Sequence, residues 1–216
     1  AKMGEVLTNS QIGGRRNIII NGAMNVAQRG TSQTGITASA NEGYVTVDRF
    51  SCAGSGHAGV LTMTQTADGP SGFANCIKLD CTTADTSIAA GEYLFLATTL
   101  EGQDLQQFKK GTSDAEQFTV SFYVKGNANA VYTLELLDND NGRQISKTFA
   151  VTSSWNRIIL TYPADTTGAF DDDNAGSFGL YFYLHAGSTY TSGTLNSTAW
   201  ASTTNANRMS SDATSF

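Results

Sequence analysis

Acid–base chemistry needs carboxylates or imidazoles brought together, and this chain of 216 residues has few of either. Glycoside hydrolysis takes two carboxylates flanking a cleft. Glu92, Glu101 and Glu135 each neighbour an apolar run, but no spacing pairs one with another. A serine nucleophile needs an imidazole base. His57 lies in "GSGHAG" and His185 ends "LYFYLH", no G-x-S-x-G elbow accompanies them, and both are expected as surface or loop residues. These counts point away from an enzyme.

Binding chemistry is better represented. Asp171, Asp172 and Asp173 in "FDDDNAG" crowd hard oxygen ligands into one loop, which suits Ca²⁺; a solvated acidic loop is the competing reading. In "DNDNG", Asp138 and Asp140 have calcium-loop spacing, yet the glycine comes one place early and no glutamate closes the ring. No other cofactor is indicated. Tyr181, Tyr183 and His185 alternate along one segment, and Tyr190 and Trp200 lie beyond it in polar sequence. Rings beside Asn, Asp and Thr can stack on a sugar's apolar face while the polar groups take its hydroxyls, so these five are candidate glycan contacts. A face packed on a neighbouring subunit would have the same composition. Trp155 is expected in the core.

The elements that must carry these residues alternate with a period of two. In "QFTVSFYVKG", Phe118, Val120, Phe122 and Val124 fall on one side; in "SFGLYFYLHAG", Phe178, Leu180, Phe182 and Leu184 do. "YVTVDRF", "VLTMTQT", "CIKLDC", "VYTLELLD", "ISKTFAV" and "NRIILTY" are further short candidates bounded by turn formers. Many short strands predict an all-β antiparallel sandwich or barrel. Asn141-Gly142 should close a hairpin with positive φ at both positions. "EGQDLQQFKKG" predicts one helical turn stopping at Gly111. Ile18 to Ile20 read as a strand buried on both faces, with Asn21-Gly22 turning the chain. Residues 1–16 read as an extended connector and 17–216 as the sandwich.

Charged residues make up 15% and the formal net charge is -6, with no basic tract, so nucleic acid is not the expected partner. No apolar run is long enough for membrane insertion by a helix, and "AKMGEVLTNSQ" lacks the pattern of a secretory signal. The three cysteines imply no disulfide framework. Cys76 and Cys81 would point to opposite faces of one strand, Cys81 joining Ile77 and Leu79 as a buried small hydrophobe.

"GGRRNIIINGAMNVAQRGTS" followed by "YVTVDRF" resembles a segment of marine and cyanobacterial phage fibre proteins and related virion structural proteins. There an Asn-(Leu/Ile)-Ile-Ile-Asn-Gly-x-Met-x-x-x-Gln-Arg-Gly-Thr run precedes an Asp-Arg-aromatic run, here Asn17 to Thr31 and Asp48-Arg49-Phe50. "IKLDCTTADTS", "LEGQDLQQFKKGTS", "SFYVKGN" and "DTTGAFDDDNAGSFGLYFYLHAGS" extend the similarity over nearly all of the chain after residue 12. The resemblance implies a jelly-roll β-sandwich similar to carbohydrate-binding modules, carried on a virion appendage of tail or capsid. It would be assembled in the host cytoplasm, commonly as a trimer, among other virion proteins and in reach of bacterial surface glycans. A capsid or tail decoration protein that only packs subunits is the alternative. Such domains usually close with a Gly-Val-Gln-Leu-Glu-type strand, and the sequence reaches Phe216 without one, so the sandwich is expected to lack its last strand. Arg29 and Asp48 are an expected ion pair locking the first strands, at a cost of about 3 kcal/mol if one partner is removed from a partly buried site.

Overall fold

The computed structural model describes residues 17–213 and 215–216, so the expected connector over 1–16 lies outside the described residues. Alternating apolar and polar side chains favour strands throughout. Eleven of them form among the described residues: β1 (Ser32–Ile36), β2 (Ser51–Ser55), β3 (Val60–Thr66), β4 (Cys76–Thr83), β5 (Tyr93–Glu101), β6 (Phe118–Val124), β7 (Ala130–Asp138), β8 (Arg143–Val151), β9 (Asn156–Tyr162), β10 (Gly176–Ala186) and β11 (Ala201–Ser202). One layer is a six-stranded sheet in the order β11-β8-β7-β10-β5-β2, and the other is split into β1-β3-β4 and β6-β9, all pairings being antiparallel. The chain is a jelly-roll-type β-sandwich.

Two apolar clusters fill the space between layers. Phe118, Val120, Phe122 and Val124 of β6, with Ile158, Leu160 and Tyr162 of β9, meet Leu134, Leu136, Ile145, Phe149, Phe178 and Leu180 of the six-stranded sheet. Ile36, Leu61 and Met63 from the three-stranded sheet meet Cys52, Leu94 and Leu184. Thr119, Ser121 and Tyr123 face outward, as period two requires. Removing one of the buried phenylalanine rings would cost about 3–5 kcal/mol.

Several local expectations are corrected. Ile18 to Ile20 form no strand, and Ile20 is 45% exposed. The side chains around them supply the backbone's partners instead: Asn17 Oδ1 accepts from Ile19 N, while Asn21 takes both polar groups of Val26 and donates Nδ2 to the Asp48 carbonyl. Asn21-Gly22 does sit in a turn, with Asn21 at φ 58. "YVTVDRF" is also not a strand. Asp48 is drawn into pairing with the opening segment, Asp48 N donating to Val26 O and Gln28 N to Asp48 Oδ1, and Arg49 turns at φ 71.

The Arg29–Asp48 pair exists at 3.7 Å, but the arginine side chain is 58% exposed. An exposed pair is worth about 0–1 kcal/mol, not the roughly 3 kcal/mol of a buried one. Arg29→Ala is therefore expected to unfold within about 1 kcal/mol of wild type in urea. Asn21→Ala, which strips three hydrogen bonds from the same corner, should lose about 1–3 kcal/mol. The reverse order would show that charge, not the amide, holds the corner.

The helical turn divides into two 3₁₀ turns, Gly102–Asp104 and Gln106–Phe108, ended by Lys109 in the left-handed region at φ 50, before Gly111. The β7–β8 hairpin forms with Asp138 opposite Arg143, so its loop is four residues and only Gly142 takes positive φ. Cys81 and Trp155 are half-buried and not core; the Lys125 ammonium stands 5.3 Å over the Trp155 ring. The described cysteines are free. Among the described residues, no helix is long and apolar enough to cross a membrane.

Candidate functional site

The outward face of the six-stranded sheet is built by register. Tyr183 is opposite Phe95 on β5 and Thr133 on β7, and Tyr181 is opposite Ala97 and Glu135. Paired residues share a face, so Tyr181, Tyr183, Tyr93, Phe95 and Glu135 lie together on the side away from the core. Phe95 stacks on Tyr93 at 5.6 Å and meets Tyr181 and Tyr183 edge-on at 4.9 and 5.7 Å. Tyr190, in the short helix α1 (Ser188–Thr191), closes the row against Tyr93 at 5.2 Å. A Cβ on Gly179 would overlap the Tyr181 ring, so that ring lies over bare backbone that only glycine provides.

Beneath the rings Glu135 is fully buried, and both of its oxygens accept from Arg208 Nε at 2.9 and 3.1 Å. The Tyr183 hydroxyl is a further partner. Burial pushes the Glu135 carboxyl upward, and the Arg208 charge opposes that rise. Burial also raises the Tyr183 and Tyr181 phenols, so both remain hydroxyl donors at neutral pH. The face thus offers half-buried rings at its surface and a fixed guanidinium–carboxylate pair below. Such a surface suits a flat ligand with one apolar side and polar edges.

Three of the five candidate glycan contacts, Tyr181, Tyr183 and Tyr190, come together there, with Tyr183 only 2% exposed beneath the others. The other two do not. Trp200 is buried in the larger core cluster, 5.9 Å from Phe118, with Nε1 donating to Pro163 O. His185 is turned away by a bulge: the register slips between Tyr183 and His185, setting His185 opposite inward-facing Leu94. It is 2% exposed and stands T-shaped to His57 at 5.9 Å. His57 lies in the loop after β2, as one half of the surface-or-loop expectation has it, but is buried; His185 is neither at the surface nor in a loop. Tyr93, Phe95 and Arg208 were not among the sequence candidates, and Glu135 was weighed only as a carboxylate for hydrolysis. Only the Tyr93–Phe95 spacing, on one side of a strand ending in Glu101, could have indicated any of them.

Asp171, Asp172 and Asp173 are exposed, and their carboxylates do not gather into a cluster of three. Asp173 Oδ1 accepts from Ala175 N in a local turn, and Asp171 N donates to Asp140 Oδ2. Asp138 is committed to the buried Lys110 ammonium. The three glutamates stay apart chemically. Glu92 accepts from Ala89 N, Glu101 pairs with Arg49 at 3.3 Å, and Glu135 belongs to Arg208.

No protein-family model and no curated protein matches the chain. Among solved structures it is similar to the family 11 carbohydrate-binding module of cellulosomal cellulase Lic26A-Cel5E of Clostridium thermocellum. The TM-score is 0.40 and the identity 13%, over 74% of this chain and 86% of that one. A likeness of that degree carries nothing from that protein to this chain.

Proposed function

We propose that this protein is a non-enzymatic glycan-binding domain of a phage fibre or appendage, working in a homo-oligomer, commonly a trimer, at the virion surface. The observation that carries the binding role is the row Tyr93, Phe95, Tyr181 and Tyr190 over the Glu135–Arg208 pair. Rings stacked and packed edge-to-face hold their positions before a ligand arrives, which lowers the ordering cost of binding. Nearby Tyr44 is 44% exposed and adds a hydroxyl-bearing ring. The virion role is supported by the sequence resemblance over Asn17 to Thr31 and Asp48 to Phe50.

The test is a glycan array probed with the labelled chain, then titration of any hit with wild type, Tyr181→Ala and Tyr93→Ala. The expected result is saturable binding that each substitution weakens by about tenfold, with folding unchanged by circular dichroism. A wild-type chain that binds no glycan, in a protein that mass spectrometry nevertheless finds in purified particles, would leave the subunit-packing role in its place. Variants that bind as wild type would move the site off this face.

A further inference from the structure

The bulge that removes His185 from the aromatic row delivers it to a second cluster. One ligand atom each from Asp85, Glu92 and His185 lies within 4.8 Å of the others. These residues come from three places: the segment after β4, the residue before β5, and the end of β10. Both ring nitrogens of His185 are buried without a hydrogen-bond partner, an uncompensated cost for a polar group at 2% exposure. His57 stands against it. Its Nδ1 lies 3.1 Å from the Gly59 carbonyl, and donation there leaves Nε2 with a free lone pair, which is likewise buried and unpartnered. An imidazole fixed through one nitrogen by a backbone carbonyl is how proteins orient a metal-binding histidine.

The carboxylates are also held. Asp85 Oδ1 accepts from Ser87 N and Oδ2 from Ala58 N, while Glu92 Oε2 accepts from Ala89 N. The backbone makes room for the cluster. A Cβ on Gly54 would stand 2.7 to 2.8 Å from the His57 ring, and one on Gly56 would stand 3.1 Å from Glu92 Cγ. Gly54 is thus the position in "GSGHAG" that admits the imidazole, and Gly56 the one that admits the Glu92 side chain.

We propose that Asp85, Glu92 and His185, with His57 beside them, form a site for a borderline divalent transition cation, Zn²⁺ foremost. A set mixing imidazole with two carboxylates fits Zn²⁺ and its neighbours, whereas Ca²⁺ and Mg²⁺ select oxygen alone. Zinc bonds to nitrogen and oxygen are about 2.0–2.2 Å, so the ligand atoms must draw in by roughly 1 Å on binding. Asp85, half-exposed, is the side from which an ion enters.

The experiment is isothermal titration of ZnCl₂ into tag-free, chelator-treated chain carrying Cys76→Ser and Cys81→Ser. CaCl₂ is titrated in parallel, and imidazole ¹⁵N shifts are recorded by NMR. The expected result is one Zn²⁺ per chain at micromolar or tighter affinity, no comparable Ca²⁺ binding, and a large shift of a His185 ring nitrogen. His185→Gln should weaken binding at least about tenfold. Because that variant alters a buried residue, Asp85→Asn serves as the second arm: it keeps an acceptor for Ala58 N, stays folded, and should weaken zinc by a similar factor. No saturable binding by the parent below about 100 μM zinc, where ΔG° would be weaker than about −5.5 kcal/mol, overturns the proposal. So does Asp85→Asn binding as the parent does, or a zinc complex that leaves the His185 nitrogens unshifted.

Discussion

Lys110→Met is expected to lower stability by about 3–5 kcal/mol, the range for removing one partner of a buried ion pair. For a domain of this size, that is a fall in Tm on the order of 10 °C. Nζ is fully buried and surrounded by Asp138 Oδ2 at 2.5 Å, Gly168 O at 2.7 Å, Thr167 O at 2.8 Å and Asp165 Oδ2 at 3.1 Å. The Phe170 ring lies on another side at 5.2 Å and the Trp200 ring at 5.8 Å. Arg143 completes a neutral set through two bonds to Asp165, at 2.6 and 2.9 Å. Methionine fills the stem's volume but strips the ammonium from Asp138 and two carbonyls, leaving Arg143 on Asp165 as the one cation against two carboxylates.

Burial alone is the variable that a control isolates. Lys125 approaches Asp68 at 2.6 Å, nearly as close, but those side chains are 33% and 58% exposed. Lys125→Met should therefore change the urea midpoint by no more than about 1 kcal/mol equivalent. Equal losses for the two lysines would refute the argument. The double variant Lys110→Met/Asp138→Leu should recover part of the loss, because it removes an unpaired charge along with its partner. The pH dependence has a definite sign. Burial pushes the Asp165 carboxyl up, yet the bonds from Arg143 and Lys110 hold it below its ordinary value. A carboxyl depressed in the folded state contributes stability at pH above its unfolded pKa of about 3.9 and loses it as pH falls through the folded value. The Lys110→Met deficit should accordingly narrow in acid below about pH 4.

The parts of this fold that were legible in the sequence are those decided by a period of two. β6, β9 and β10 each carry branched or aromatic residues on one side above all, and burial of that side fixes their faces without any knowledge of their partners. Ile18 to Ile20 have equally strong strand propensity, but Asn17 and Asn21 satisfy the backbone locally. That competition depends on Asp48, 27 residues beyond Asn21. The aromatic face was half visible for a similar reason. Alternation placed Tyr181 with Tyr183 correctly, then carried His185 along with them because a one-residue bulge leaves no trace in composition. Trp200 obeys no period. Whether an indole in polar sequence faces water or plugs a core is decided by what lies opposite, here Phe118 and Phe178. Lys110 gave no signal beyond a neighbouring lysine, since two carboxylates distant in the chain define its surroundings.

Arg208→Ala should also cost about 3–5 kcal/mol, and its effect should be spatially uneven. Arg208 is the charged side chain through which the segment after β10 grips the sheet, alongside the buried Trp200 and Met209. Its removal leaves Glu135, a residue with no exposed surface, without its cation. Backbone amides add to the grip: Ser146 N to Asn196 O, Gly193 N to Ala206 O, Met209 N to Tyr190 O, and Ser210 N to Thr133 Oγ1. These bonds close short loops over the sheet and depend on the segment lying flat, so loss of the ion pair should release them together, ahead of global unfolding. Hydrogen exchange checks this directly: the amides of Gly193, Met209 and Ser210 should lose protection in the variant, while those of β7 and β10 keep theirs relative to the reduced global stability. Glu135→Leu/Arg208→Leu should be far less damaging than Arg208→Ala, because no buried charge is stranded. The pH dependence runs opposite to that of an ordinary depressed carboxyl. Without Arg208, burial raises the folded-state pKa of Glu135 above its unfolded value of about 4.3, so there is no penalty below that pH and a growing one as pH rises through it. The deficit of Arg208→Ala should therefore be small near about pH 4 and full at about pH 7. A deficit independent of pH would mean that Arg208 acts by packing, and an unchanged exchange pattern would mean that Trp200 and the backbone hold the segment without the ion pair.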